Sequence, residues 1–369
     1  MAGYAESVTR AMVPVPTETS AEIIQELPHA SVVLSRARRT TMSSKTRTQP
    51  VLDVLPAAYW VNGDTGLKQT SHAEWGSLTM TAEEIAVLIP IPDAVIADSS
   101  VPIWSEIRPL IAEAFGKVID LAAIWGVDKP ATWPTALVPG AINSGNVATL
   151  ATSGTKMDLG QAAAKIGQLV AEDGYAINGF ASRPGLNWQL VGLRDTTGQA
   201  IYGQPLAQGQ PGSLYGYPLN EVYNGSFDTR VAELIGADWS KMIVGIRQDM
   251  TYKLMTEAVI SNADGEVIFN AAQQDSTIMR VVMRIGYQIA KPLTRVGTAT
   301  RYPAGVVAPE STKWVASTAY AKGAVVIAGG MIFEVTTAGT SHSAAPTWAG
   351  TALAGTVTDG ATLVWTRIG

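Results

Sequence analysis

The chain has 369 residues, 47% of them hydrophobic and only 15% charged, with a formal net charge of −5. A length of this order suffices for one large core or for two to three domains, and so low a charge implies much surface buried inside the fold or against neighbours. The net charge excludes a polycation, so any nucleic-acid contact must come from a local segment, and the absence of cysteine excludes disulfides, thiolate nucleophiles and Cys-ligated zinc.

Residues 1–50 read as an extended arm. Pro14, Pro16 and Pro28 interrupt it, and the first twenty residues lack the apolar core of a signal peptide. Within it, residues 18–27 fit a short helix that Thr19 can cap, with Glu22 three positions on. Arg36, Arg38, Arg39, Lys45 and Arg47 follow with no acidic residue among them. Such a stretch can meet DNA phosphates or a neighbour's acidic surface, or simply be a solvated arm.

Residues 51–92 are expected to form a long β-hairpin. Leu52, Val54 and Leu55 begin one strand, Tyr59, Trp60 and Val61 continue it, and Asn62-Gly63-Asp64-Thr65-Gly66 makes the turn. The return strand runs through Leu78 and Met80 and then residues 86–91, its apolar character interrupted by Glu83 and Glu84. A hairpin of this length cannot bury both faces on its own subunit and asks for a partner.

Residues 101–125 give the clearest helix. Ile107, Leu110, Ile111, Ala114, Phe115, Val118, Leu121 and Ala122 fall at helical spacing, with Arg108, Glu113, Lys117 and Asp120 assigned to the other side. Pro109 should kink it or delay its regular part, and Gly126 should stop it. Residues 128–146, rich in Pro and Gly, read as a loop. Residues 159–172 form a second amphipathic helix through Leu159, Ala162, Ala163, Ile166, Leu169 and Val170. Strands are expected at 175–180, 218–223, 242–246 and 278–288, a further short apolar segment at 187–193, and a low-charge loop at 203–217. The class is α+β, with the main helix early and several strands late.

From Ser311 the pattern changes. Trp314, Tyr320, Phe333, Trp348 and Trp365 spread through short β segments, and Ala328-Gly329-Gly330 is a hairpin turn between two apolar runs. Residues 311–369 are expected to form a separate small all-β module. No nucleotide-binding, serine-hydrolase or zinc-protease motif occurs along the chain, and His29, His72 and His342 lie in three different segments.

In this order the segments resemble the tailed-bacteriophage major capsid family with the Hong Kong 97-type fold, over roughly residues 30–305. Trp75-x-x-Leu78-x-Met80 followed by residues 85–91 is similar to that family's hairpin return strand. Residues 92–99 resemble its acidic lead-in to the long helix, and residues 119–126 the end of that helix. Asn187-Trp188-Gln189-Leu190 with Leu193-Arg194-Asp195, and Leu214-Tyr215-Gly216-Tyr217-Pro218-Leu219, resemble its segments around a variable loop. Gly236-Ala237-Asp238-Trp239-Ser240, residues 243–247, and residues 280–292 resemble its later strands.

The resemblance implies an arm at 1–50, an extended loop at 51–92, a peripheral domain with the spine helix at 93–135 and 255–310, and an axial domain at 136–254. It implies a structural, non-enzymatic subunit without cofactors, assembling as hexamers and pentamers into a shell around double-stranded DNA. Its partners would be further copies of itself, the portal and packaged DNA bound non-specifically; because no long helical scaffold domain precedes the arm, either a separate scaffolding protein is needed or the short pre-arm is cleaved. Assembly in the host bacterial cytoplasm, residence in the virion and no membrane contact follow from the same resemblance. An encapsulin-like compartment is the alternative carried by the same fold.

Some relatives join hairpin lysines covalently to a neighbour's asparagine; Lys68 stands in the matching loop, where a plain surface lysine fits as well. The C-terminal segment is similar to small β modules of phage capsid and tail proteins, some resembling carbohydrate-binding modules. Its five aromatic residues are thus either a glycan-stacking face or the module's core, and the module either binds surface glycans or bridges capsomers.

Overall fold

The computed structural model describes residues 31–61, 67–68, 70–71, 73–98, 103–150, 158–192, 212–262, 264–292, 296 and 301–369. The expected arm and helix within 1–30, the hairpin turn at 62–66, most of the 203–217 loop, His29 and His72 lie outside these residues.

The elements run in chain order as α1 (Val32–Arg36), β1 (Arg38–Thr41), β2 (Thr46–Val54), β3 (Glu74–Pro92), α2 (Asp93–Asp98), α3 (Ile103–Asp120) and a π-helical turn (Leu121–Trp125). There follow α4 (Leu137–Asn143), β4 (Val147–Thr149), α5 (Leu159–Glu172), β5 (Gly179–Ser182), α6 (Leu186–Val191), β6 (Ser213–Leu214), β7 (Tyr217–Glu221) and β8 (Leu234–Ala237). Next come β9 (Met242–Met255), β10 (Val259–Ser261), β11 (Val267–Asn270), β12 (Ser276–Ile289) and β13 (Ala304–Ala308). The chain closes with β14 (Ala319–Tyr320), β15 (Val325–Ala328), β16 (Met331–Thr337), β17 (Gly339–Thr340), β18 (Thr356–Asp359) and β19 (Leu363–Arg367).

Three sheets organise the molecule. The first has the order β1-β9-β12-β3-β2, the second β4-β13-β8-β5-β7-β6, and the third, in the C-terminal segment, β15-β16-β19-β18. The long helix α3 shares a core with the first sheet. Its Ile111, Phe115 and Ile119 belong to the same buried cluster as Met250 of β9 and Val281, Met283 and Ile285 of β12. The helix is continuous through Pro109, which deprives it of one amide donor without ending it. Gly126, at φ 82°, stops it as a left-handed cap.

Helix α5 covers the second sheet. Ala162, Ala163, Ile166 and Val170 meet Phe180, Leu234 and Val307. The approach is close: a Cβ on Gly305 would stand 2.9 Å from Ile166 Cβ, and one on Gly236 3.1 Å from Ile166 Cδ1. Asp158 caps this helix, accepting from the Gln161 amide at 2.7 Å.

Three expectations are corrected. Residues 31–50 are not an arm: Val32, Val33 and Leu34 are core residues, β1 pairs in parallel with β9, and β2 begins at Thr46. The outgoing hairpin strand ends at Val54, before Tyr59, Trp60 and Val61, because Pro56 has no amide hydrogen to extend the ladder. The return strand carries Glu83 and Glu84 within it, where Glu84 pairs across the ladder with Arg284 Nη2 at 2.7 Å and Glu83 accepts from Thr132 Oγ1 at 2.8 Å. The Pro/Gly-rich stretch 128–146 contains the buried helix α4, whose Pro139 sits in the first turn, where proline costs little.

The C-terminal segment forms its own sheet but does not stand apart. Val325 and Ile332 belong to the main core, Gly330 faces Asn143 of α4, and Arg230 bridges Asp228 at 2.8 Å to Glu334 at 3.0 Å.

Candidate assembly surfaces

Strand β3 is 19 residues long and has different partners along its length. Residues 82–92 pair with β12, whereas residues 74–81 pair with β2. The outer half thus leaves the body as a two-stranded ribbon, and β2 forms an open edge of the sheet. Around this ribbon and its described loop residues, Tyr59, Trp60, Leu67 and Trp75 are all exposed, Trp60 and Leu67 almost completely. Large apolar groups gathered on one projection mark a surface that another chain covers. Lys68 lies exposed beside Leu67.

At the base of the ribbon, Met42, Met80, Ala82 and Ile243 form a small cluster. It fits because Gly245 and Gly286 lie beneath it: a Cβ on Gly286 would stand 2.9 Å from Met80 Cγ and 3.0 Å from the Thr81 carbonyl oxygen.

The five basic residues expected to act as one strip are separated. Arg36 and Arg38 flank buried Ala37 and open onto one cleft with Asn178, Trp239 and Ser240. Arg39 and Lys45 are exposed. Arg47 turns back on β1, donating to Thr40 Oγ1 and, at 2.7 Å, to the Thr41 carbonyl.

Asp120 is the site residue that the helical pattern hides. Assigned by spacing to the polar side of the helix, it is fully buried. Its Oδ1 accepts from Ser31 Oγ at 2.7 Å and the Val33 amide at 3.1 Å, and its Oδ2 from the Val32 amide at 3.1 Å and Asn224 Nδ2 at 2.7 Å. It therefore anchors the first turn of α1, whose free amides favour a carboxylate, to the end of α3. Burial holds its pKa above the ordinary carboxylate value, against the pull of these four donors. The one sequence signal for this latch is Ser31, a good helix-capping type, placed before the apolar run Val32-Val33-Leu34. The partner 89 residues away leaves no local trace.

A second buried tie joins the end of α5 to the segments that lead into β4 and β13. Asp173 Oδ2 accepts from Asn146 Nδ2 and from the Tyr302 amide, both at 2.8 Å. Among the described residues no group of three or more His, Asp or Glu side chains could hold a metal ion, and no helix is long and apolar enough to cross a membrane.

In the C-terminal sheet, Phe333 and Trp365 are completely buried, and Trp314, Tyr320 and Trp348 pack against them half-buried. The rings of Tyr320 and Trp365 meet edge to face at 5.0 Å, and those of Phe333 and Trp348 lie tilted to each other at 4.7 Å. Asp359, itself buried, organises the cluster: its Oδ2 accepts from Trp314 Nε1 at 2.8 Å and Trp365 Nε1 at 3.1 Å, and its Oδ1 from the His342 amide at 2.7 Å. The five aromatic residues thus form one packed cluster.

A projecting ribbon, a long helix laid on an extended sheet, and a second sheet backed by a helix define a shell subunit of the Hong Kong 97 type. The chain belongs to the phage capsid family, whose model matches residues 11–293. It is similar to a solved chain from Microbacterium phage Oxtober96, at 36% identity and a TM-score of 0.67 over 83% of this chain and 96% of that one. A solved chain from Mycobacterium phage Cain is 34% identical, with a TM-score of 0.67 over 77% of this chain and 91% of that one. The major capsid protein of Staphylococcus phage 80alpha is 27% identical over 286 residues, covering 74% of this chain and 81% of that protein. This chain is accordingly a phage major capsid protein that forms the head shell, and the encapsulin-like alternative is not favoured.

Proposed function

We propose that the subunit assembles as hexamers and pentamers held together by its ribbon, which lies across a neighbouring copy and buries Tyr59, Trp60, Leu67 and Trp75 there. The observation that carries this reading is the exposure of all four on one projection, Trp60 and Leu67 almost completely. Many such contacts per shell make each weak one count. The shell encloses double-stranded DNA, receives it through a portal, and is built in the host bacterial cytoplasm with a separate scaffolding protein.

The C-terminal module is displayed on the shell and braces adjacent capsomers. Glycan stacking needs a ring face open to solvent, and here the rings lie mainly on one another, which supports the bracing role. Lys68 is a surface residue of the ribbon and the place where a covalent link to a neighbour would form.

Electron microscopy of the purified full-length protein tests the proposal. Closed shells with hexameric and pentameric capsomers are expected, and a Trp60→Ala, Trp75→Ala double variant should leave soluble, folded subunits. Shells that formed equally well from that variant would refute the ribbon's role.

A further inference from the structure

We infer that the cleft between Arg36, Arg38 and the Asn178–Trp239–Ser240 wall is a phosphate seat that holds one backbone phosphodiester of the enclosed DNA. The inference rests on the shell reading for its ligand, but on its own geometry for the site. Arg36 ends α1 and Arg38 begins β1, with buried Ala37 between them, so both side chains line one open cleft of about 390 Å³. That is room for a phosphate with part of its sugar and more than a single carboxylate side chain fills.

The wall cannot satisfy these cations. Asn178 donates through Nδ2 to Asp238 Oδ1 at 3.1 Å and accepts the Trp239 amide at 3.0 Å. Ser240 Oγ donates to the same Asp238 oxygen at 2.5 Å. Asp238, the carboxylate behind the wall, is thus occupied by the wall itself and by Lys241 Nζ at 3.9 Å. Arg36 spends one donor on Asn220 Oδ1 at 2.9 Å, leaving the others of its five-donor fork free. Among the described residues neither Arg36 nor Arg38 has a carboxylate within ion-pairing distance. Burial also pulls the Arg36 guanidinium below its ordinary pKa, the mark of a cation set into protein without its anion.

Two forks converging on one open volume suit the two free oxygens of a phosphodiester, and they read no base. In a chain of net charge −5, DNA cannot be held by overall attraction, so a local seat of this kind is what contact requires.

The test uses full-length subunits before assembly and a labelled 20-base-pair duplex, with binding followed by fluorescence anisotropy across a salt series. Each phosphate contact contributes about 0.9 to the slope of log affinity against log salt. The Arg36→Ala, Arg38→Ala double variant removes the one phosphate contact and should lower that slope by about 0.9, equally for duplexes of different sequence. Arg38→Ala alone, at an exposed position, should lower it by only part of that amount. Arg284→Ala, whose guanidinium is already paired with Glu84, should leave it unchanged.

An unchanged slope in the double variant, or no duplex binding by the wild type, overturns the seat. A double variant that binds duplex normally but fails to form shells overturns it too, by assigning the cleft to a neighbour's carboxylate. Whether wild-type protein forms shells at all is read separately by microscopy, so failure of the shell reading cannot be mistaken for failure of the seat.

Discussion

The two halves of β3 belong to one strand and meet opposite fates. In the inner half Ile91 is 0% exposed, with Ile85, Val87 and Ile89 directed at the same core; in the outer half Trp75 is 69% exposed. The inner half is covered by its own chain, with the α3 core on one face. The outer half has a ladder partner in β2 but no covering layer of comparable depth beyond the small Met42–Met80 cluster. A two-stranded ribbon is marginal by itself. The difference teaches that subunit stability and shell stability reside in separable residues, and variants can be chosen to move one without the other.

The largest expected effect on the subunit is at Trp365, the fully buried centre of the C-terminal aromatic cluster. Trp365→Ala should cost about 3–5 kcal/mol. Chemical denaturation with Trp fluorescence checks this. Because Val325 and Ile332 of the same sheet belong to the main core, the transition should remain single; a separate early transition would show that the module folds on its own.

Asp120→Ala comes next, at about 3 kcal/mol, since it strands Ser31 Oγ, two amides of α1 and Asn224 Nδ2 in the interior. Its pH dependence has a definite sign. A folded pKa above the unfolded one gives stability that is complete below the unfolded pKa, near 4, and lost as pH rises through the folded value. The gap between wild type and Asp120→Ala should therefore widen as pH falls from neutrality toward about 4. Denaturation midpoints at several pH values test it, and a gap that narrowed in acid would contradict the assignment.

These two sites show what was legible in the sequence. Residues 159–172 were readable as a helix because the apolar period is strict and Asp158 caps it. Helix α3 was readable for the same reason, and so was its stop at Gly126. Periodicity could not show that Asp120 turns inward, because a charged residue on an amphipathic helix is ordinarily solvated, and only the distant Ser31–Asn224 environment reverses that. Helix α4 was illegible because Pro139 and Gly140 count as loop residues locally. Gly140 is instead required by contact, a Cβ there standing 2.2 Å from Tyr302 Oη. The arm expectation failed at 31–50 because density of arginine and threonine says nothing about parallel pairing with a strand 200 residues later. The basic strip likewise dissolved once strand alternation and the turn before β2 sent its members in different directions.

At the base of the ribbon a smaller effect is expected. Gly286→Ala places a methyl against Met80, which can yield, and against the Thr81 carbonyl, which cannot easily do so. A loss of about 1–3 kcal/mol should follow. Since the strain falls where β12 holds the return strand β3, this variant should lower both the subunit's denaturation midpoint and the yield of shells, joining the two properties that the other variants separate.

The smallest effect on the subunit should come from the Trp60→Ala, Trp75→Ala double variant. Both side chains are solvent-facing, and substitutions at such positions usually change stability by no more than about 0.5 kcal/mol. Their effect on assembly should be the reverse, because a buried aromatic at a subunit contact contributes about 2 kcal/mol or more and that contact recurs in every copy. Denaturation midpoint and shell yield, measured on the same preparation, give the comparison directly: an unchanged midpoint with lost shells places the missing cover of the outer half in a neighbour. A midpoint that fell as far as that of Asp120→Ala would mean instead that the subunit's own chain covers those rings, and that the two halves of β3 are stabilised in the same way.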